Sequence, residues 1–235
     1  MIATLIADVA AALKNDPAAR GRTEVLLTYP GLHALMLHRV AHGLWLRHAK
    51  LLARMVSHQA RFLTGVEIHP GARIADGVFI DHGMGVVVGE TAVIEEGCIL
   101  YKGVVLGGTS LERRVRHPHL GKNVIVGSNA CVLGAIKVGD GARIGSGSVV
   151  IADVPEGATV VGVPGRVVKT KGPIDALDHA ALPDPVQDVL RSLAHQQEML
   201  MERLSRLERK YRNVDEAEAL EAREDDPRHR AGRIF

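Results

Sequence analysis

The chain opens on a helical pattern of apolar positions: Ile2, Leu5, Ile6, Val9, Ala10 and Leu13 fall on one face of a helix. Asn15-Asp16-Pro17 ends that pattern, and Tyr29-Pro30-Gly31 breaks the chain again. Leu32 to Lys50 and Leu51 to Leu63 supply further helical stretches, so residues 1–64 are expected to form an α-helical domain. His33, His38, His42, His48 and His58 are expected at helix surfaces and in packing. His38 and His42 share a face at i, i+4, but no acidic or Cys partner accompanies them as it would in a metal site.

From Val66 the period changes to six. Ile68, Ile74, Ile80 and Val86 form one run, and Val88, Ile94, Leu100 and Leu106 a second. Leu120, Val126, Val132, Val138, Ile144 and Val150 form a third. A six-residue unit is one short strand plus a tight turn, and three such units close a triangular coil. Stacked coils pair as parallel strands, so the aliphatics are expected to build ladders in a dry interior. Ala72, Ala92, Cys98, Ala130, Ala142 and Ser148 sit at the fifth position of their hexads and are small enough for the crowded corners. The expected fold is α+β, with the helical domain followed by a parallel β-helix over residues 65–171.

A coil of this kind loses register only where something has been inserted. Eight residues rather than six separate Ile80 from Val88, across Asp81-His82-Gly83-Met84-Gly85, and fourteen separate Leu106 from Leu120. The second break exceeds one hexad by eight residues and is expected to extrude a loop carrying Arg113, Arg114, Arg116, His117 and His119. Reactive and binding residues gather on loops held by a rigid scaffold, and both breaks contain histidine.

Residues 172–185, with Pro173, Pro183 and Pro185, are expected to be a linker. Val186, Leu193, Leu200 and Leu207 then recur every seven residues, with Leu190, Gln197, Leu204 and Tyr211 at the second seam position. That pattern predicts a coiled-coil helix over 186–212, the alternative being one amphipathic helix packed back on the body. The charged residues 213–235 are expected to be disordered.

Composition narrows the function classes. Lys plus Arg number 29 against 27 for Asp plus Glu, too balanced for a protein devoted to nucleic acid. Two cysteines, Cys98 and Cys131, exclude a disulfide scaffold and fit a reducing compartment. The apolar start carries Asp8 and no basic lead-in, unlike a signal peptide. Val25–His38 lacks charged residues but contains Pro30 and falls short of the roughly 20 residues that span a bilayer. A cytoplasmic protein with no membrane segment is expected.

The titratable residues at and beside the breaks are Glu67, His69, Asp81, His82, Arg116, His117 and His119. No G-x-S-x-G nucleophile motif, phosphate-binding Gly-Lys loop or G-x-G-x-x-G motif accompanies them. A zinc hydratase built on such a coil needs three converging histidines, typically with an H-x-x-x-x-H pair, which the coil region lacks. No metal is expected. General-base chemistry fits better, because imidazole titrates near neutrality and a carboxylate fixes its tautomer. Glu67 precedes His82 by fifteen residues, slightly less than one coil of eighteen, so the two are candidates for a dyad; a solvated surface charge is the alternative for Glu67.

The segments Gly65-Val66-Glu67-Ile68-His69-Pro70-Gly71-Ala72 and Ile80-Asp81-His82-Gly83-Met84-Gly85-Val86-Val87-Val88-Gly89-Glu90-Thr91-Ala92 closely resemble bacterial serine O-acetyltransferases. So do Leu106-Gly107-Gly108-Thr109, Arg116-His117-Pro118, Val161-Gly162-Val163-Pro164-Gly165-Arg166 and, in the helical front, Asn15-Asp16-Pro17-Ala18. The resemblance implies a left-handed parallel β-helix and transfer of acetyl from acetyl-CoA to L-serine in cysteine biosynthesis, with no permanently bound cofactor. It implies His82 as the base and Glu67 as the carboxylate that orients it. Asp16 and Asp81 would hold the serine ammonium, and Arg116 and His117 its carboxylate. Gly108, Thr109, Ser128 and Ser146 match positions where small residues let CoA lie along the coil, and Arg143 one where a cation meets CoA. The oxyanion donor is left between backbone N–H groups and His117.

The family also implies a homotrimer or a dimer of trimers, and O-acetylserine sulfhydrylase as a partner. About 65 residues precede the coil, fewer than in enterobacterial relatives that pair two trimers. The ending Arg233-Ile234-Phe235, after a coiled segment, departs from the Ile-terminated tail through which relatives bind the sulfhydrylase. Competing readings are another hexapeptide acyltransferase, acting on a sugar or amine, and a catalytically silent trimeric scaffold. Neither would use Asp16, Asp81, Arg116 and His82 together.

Overall fold

Aliphatic side chains at every sixth position close the chain into a three-sided stack of short strands, seen in a computed structural model that describes residues 2–168 and 185–224. Four helices come first: α1 (Ile2–Asn15), α2 (Arg22–Thr28), α3 (Pro30–Leu46) and α4 (Lys50–Thr64). Gly65, at φ +72°, then turns the chain into the coil. The first sheet contains β1 (Glu67–Ile68), β4 (Val87–Val88), β7 (Val105–Gly107), β10 (Cys131–Leu133) and β13 (Val149–Val150). The second contains β2 (Arg73–Ile74), β5 (Val93–Ile94), β8 (His119–Leu120) and β11 (Lys137–Val138). The third contains β3 (Phe79–Ile80), β6 (Ile99–Leu100), β9 (Ile125–Val126), β12 (Arg143–Ile144), β14 (Thr159–Val161) and β15 (Arg166–Val168). Strands of successive coils pair in parallel, and only β15 returns antiparallel on β14.

Each two-residue strand turns one side chain inward. Ile68, Val88, Leu106, Val132 and Val150 stack inside the first sheet, facing Ile94, Leu120 and Val138 of the second and Ile80, Leu100, Val126 and Ile144 of the third. Ala72, Ala92, Cys98, Ala130, Ala142 and Ser148 are all buried, as corner positions require. The Cys98 thiol is pushed up to about 12 by burial, which leaves it a packing residue rather than a nucleophile.

Helices α1, α2 and α3 cover the outer face of the third sheet, and α4 packs against α3 and β1. Val9 and Ala12 of α1, Val25 of α2 and Leu32 of α3 cluster with Phe79, Ile99 and Tyr101. Asp8, buried at 2% exposure, pairs with Arg39 of α3 at 2.5 Å and accepts the Gly77 N–H at 2.9 Å, tying two helices to the first coil. The sequence break at Tyr29-Pro30-Gly31 narrows to Tyr29 alone: Pro30 starts α3, where its missing N–H has no helical partner to lose. Gly31 is fixed by proximity, since a Cβ there would lie 2.1 Å from the Ile80 carbonyl oxygen.

A second unit consists of α5 (Pro185–Glu224). The helix continues through residues 213–224, which were expected to be disordered; that stretch is dense in Glu and Ala and free of Gly and Pro, so helix propensity carries it onward. Leu190, Leu193, Leu200, Leu204 and Leu207 are all exposed along it. The expected linker falls, over 172–184, outside the described residues, as does 225–235 of the expected tail. Among the described residues no helix is long and apolar enough to cross a membrane.

The Gly31 contact yields a stability prediction. Gly31→Ala must push α3 away from Ile80, an overpacking cost of about 1–3 kcal/mol, and lowers the melting temperature by about 3–10 °C. Gly43→Ala, inside α3 where the added Cβ would meet only the end of the Arg47 side chain at 3.4 Å, leaves it at or slightly above the parent value. Thermal denaturation of both variants checks the pair.

Candidate active site

The two register breaks lie along different edges of the prism. Asp81 and His82 follow β3 and precede β4, on the edge where the third sheet passes into the first. The extra residues make a tight turn: Gly83 N–H donates to the Asp81 carbonyl at 2.7 Å and Met84 N–H to the His82 carbonyl at 2.8 Å. His82 is held at φ +59°, a left-handed conformation uncommon for a side chain of its size, with 74% of that side chain exposed. Its Nε2 lies 3.6 Å from Asp81 Oδ2. Glu67 opens β1 on the same edge, beside Val66, whose side chain packs where a Cβ of Gly83 would be. In the single chain the Glu67 carboxylate accepts from Arg61 of α4 at 3.1 Å.

Asp16, in the turn after α1, reaches the same region. Its Oδ1 accepts the Ala18 N–H at 2.8 Å and its Oδ2 the Tyr29 hydroxyl at 2.5 Å. The Tyr29 phenol is pushed up to about 12 by burial and by that carboxylate. Burial raises the Asp81 carboxyl above its ordinary range, and the Asp16 charge adds to the rise while His82 opposes it. A cation placed beside the ionised Asp81 would offset both its burial and the nearby Asp16 charge.

Arg116 and His117 precede β8, on the edge between the first and second sheets. The preceding loop, residues 108–118, leaves the coil as the spacing predicts and returns in register, with His119 beside Val93. Arg116 donates to Glu90 Oε2 at 2.9 Å, and His117 Nδ1 lies 2.9 Å from the Thr91 hydroxyl. Burial and the adjacent Arg116 guanidinium lower the His117 imidazole below its ordinary value. His69, on the same edge, is lowered to about 4 by burial, followed by the Arg54 charge. A hollow of 330 Å³ borders this edge, lined in part by Arg73, Glu90, Thr91, His117, His119 and Lys137. A larger cavity, of 620 Å³, sits among α1, α3 and α4 with an almost wholly apolar lining and no acid–base set.

The structure therefore brings Asp16, Asp81, His82 and Glu67 to one edge and Arg116 and His117 to another. Gly108 and Thr109 fall on the Arg116 edge; Ser128 and Ser146 lie on the His82 edge in successive coils; Arg143 begins β12 on the third sheet. Among the described residues no three His, Cys, Asp or Glu side chains gather in a geometry for a metal.

The chain is 52% identical over 208 residues to the serine acetyltransferase of Synechococcus elongatus, covering 88% of this chain and 85% of the relative. It is 51% identical over 191 residues to that of Bacillus subtilis, covering 80% and 88%. This chain belongs to the serine acetyltransferase family. Residues 117–152 match the family described as bacterial transferase hexapeptide (six repeats). Soybean serine acetyltransferase complexed with serine superposes with a TM-score of 0.69 at 44% identity, over 71% of this chain and 68% of that one. A serine acetyltransferase in complex with CoA superposes at 0.68 and 42% identity, over 71% and 69%.

Within this family member, sequence reasoning passed over the residues that hold the candidate site residues: Tyr29 on Asp16, Arg61 on Glu67, and Glu90 and Thr91 on Arg116 and His117. The last two had a signal. Glu90-Thr91 precedes Arg116-His117 by 26 residues, one coil of eighteen plus the eight-residue excess, so the two pairs stack. Tyr29 and Arg61 come from helices whose docking has no repeat to set it.

The raised Asp81 carboxyl makes a signed prediction. Its proton is held more tightly folded than unfolded, so ionised Asp81 lowers stability at neutral pH. Asp81→Asn removes that penalty: the variant melts at or above the parent at pH 7. The gap closes on acidification and vanishes below the unfolded carboxylate value of about 4. A variant that melts lower at pH 7 would make the carboxylate a net stabiliser.

Proposed function

We propose that this chain is a cytoplasmic serine O-acetyltransferase, transferring acetyl from acetyl-CoA to the hydroxyl of L-serine and releasing O-acetyl-L-serine and CoA. The observation that carries the reading is the Asp81 carboxyl, acted on by the Asp16 charge, beside an exposed His82 held in a strained turn. Relatives with these names at about half identity, and relatives solved with serine and with CoA, support the substrates. A sugar or simple amine acceptor would leave either the carboxylate pair or Arg116 without a purpose.

In this reading Asp16 and Asp81 take the ammonium and Arg116 the carboxylate, which directs the hydroxymethyl group to His82. The imidazole removes the hydroxyl proton as the oxygen attacks the thioester carbonyl. Glu67 steadies the imidazolium, and the proton then passes to the departing CoA sulfur. Gly108, Thr109, Ser128, Ser146 and Arg143 are the proposed contacts of CoA, a co-substrate rather than a resident cofactor.

The poles of the zwitterion site lie on different edges of one prism, so a complete site needs the His82 edge of one chain against the Arg116 edge of another. Such a head-to-tail contact closes into a ring, and we propose a homotrimer of left-handed coils. The exposed leucine seam of α5 is proposed to form a parallel coiled coil within it. In that register Arg203 of one helix flanks Glu208 of its neighbour, an attractive pairing across the seam.

Two outcomes follow. L-Serine-dependent release of free CoA thiol from acetyl-CoA falls by about 100-fold or more in His82→Ala, as for a lost general base; release equal with and without serine would discard the acceptor. Deleting residues 172–235 weakens assembly in sedimentation velocity, and an unchanged profile would remove α5 from the trimer.

A further inference from the structure

Thr91 makes every hydrogen bond its side chain allows, and all of them go to the Arg116-His117 pair. Its Oγ1 accepts the Arg116 N–H at 3.0 Å and the His117 N–H at 3.2 Å, which fills both lone pairs. The hydroxyl has one proton left, and the acceptor within reach is His117 Nδ1 at 2.9 Å. The Thr91 backbone N–H, which can only donate, points at the same Nδ1 from 3.2 Å. Two donors converge on one ring nitrogen.

That arrangement decides the tautomer. A nitrogen that receives two donors must carry its lone pair, so the proton of the neutral ring sits on Nε2. Protonating Nδ1 would turn an acceptor into a donor facing two donors and would force Thr91 Oγ1 to release a backbone N–H. The environment acts in the same direction: the ring is 8% exposed, and Arg116 is adjacent. Glu90 is the opposing carboxylate, and its Oε2 is engaged by Arg116. The far side of the ring covers Gly89 and Gly108, where a Cβ would come within 2.1 Å and 3.2 Å of Nε2. Among the described residues nothing bonds Nε2.

We propose that Thr91 is a positioning residue that fixes His117 as a neutral Nε2–H donor aimed at an anionic oxygen of the bound reactants. The proposal rests on the serine acetyltransferase reading for what the oxygen is: the serine carboxylate or the oxyanion of the tetrahedral intermediate. It gives the two histidines opposite duties, since His82 accepts a proton whereas His117 lends one without releasing it. An Nε2–H donor suits the oxyanion, because the ring's lone pair is on Nδ1, turned to Thr91, and no second base faces the hydroxyl.

The test separates the tautomer from the reaction. Nitrogen-15 spectra of histidine-labelled protein, with the His117 signals assigned by difference against His117→Gln, report which ring nitrogen is protonated without any turnover. The expected result is the Nε2–H form in the parent and a larger share of the Nδ1–H form in Thr91→Val, which keeps the shape, removes the hydroxyl donor and leaves the backbone N–H opposite Nδ1. In kinetics, Thr91→Val loses about 10–100-fold in kcat/KM for serine, and Thr91→Ser loses at least about tenfold less than Thr91→Val. A loss in kcat identifies the oxyanion, and a rise in KM for serine alone identifies the carboxylate. His117→Gln, whose amide nitrogen reaches the Nε2 position, retains more activity than His117→Asn, whose amide sits near Nδ1.

An Nδ1–H or charged ring in the parent would overturn the proposal, as would an unchanged tautomer in Thr91→Val or a reversed order of Gln and Asn. Absence of serine-dependent turnover in the parent, with the Nε2–H form observed, would instead overturn the substrate reading and leave the tautomer standing.

Discussion

Each coil of the prism must return to the register of the coil below it. The strands are two or three residues long and, β15 apart, parallel, so a slip of one residue would turn an interior aliphatic to solvent and a polar side chain to the core. Leu106, Leu120, Val126 and Val132 are completely buried, and each contributes about 1.5–3 kcal/mol by burial. Any residue that does not fit the six-residue side therefore has to leave the wall. The Asp81–Gly85 turn and the loop before Arg116 are the two places where it does.

The same constraint aims the site residues. Because β8 must lie on β5 with His119 beside Val93, the loop that leaves after Gly107 has to come back with Arg116 over Glu90 and His117 over Thr91. The tight turn after β3 reaches β4 in register and holds His82 in a left-handed backbone conformation with its imidazole outward. The helices complete the His82 edge: α1 and α3 are clamped by Asp8 and Arg39, and the turn after α1 presents Asp16 beside Asp81. Backbone strain at His82 and the burial of Asp81 near the Asp16 charge fall on the same edge, where a bound ammonium group would offset the second.

Much of this was legible in the residues. The period of six announces the prism, its two slips announce the loops, and the small residues Ala72, Ala92 and Ala130 mark the corners. What the repeat could not give was anything that depends on packing between unlike elements. The Tyr29 bond to Asp16 and the Arg61 bond to Glu67 follow from how the four helices pack on one another and on the first coil, which no period encodes. The disorder expected for 213–224 came from weighing charge above helix propensity, and propensity prevails there. Glu67 and His82 share an edge as the coil arithmetic suggested, but the carboxylate's partner in the single chain is an arginine that the repeat does not contain.

The central claim is that one chain supplies the base and the ammonium site, and its neighbour supplies the carboxylate site. The measurement that bears on it most directly is subunit mixing: His82→Ala and Arg116→Ala, each inactive alone, are dissociated together, reassembled and assayed for serine-dependent CoA release. Shared sites predict that mixed assemblies regain a substantial fraction of parental activity, because some interfaces pair an intact His82 edge with an intact Arg116 edge. Mixed assemblies as inactive as either variant alone would mean that both edges of the same chain serve one site, and the account would be wrong.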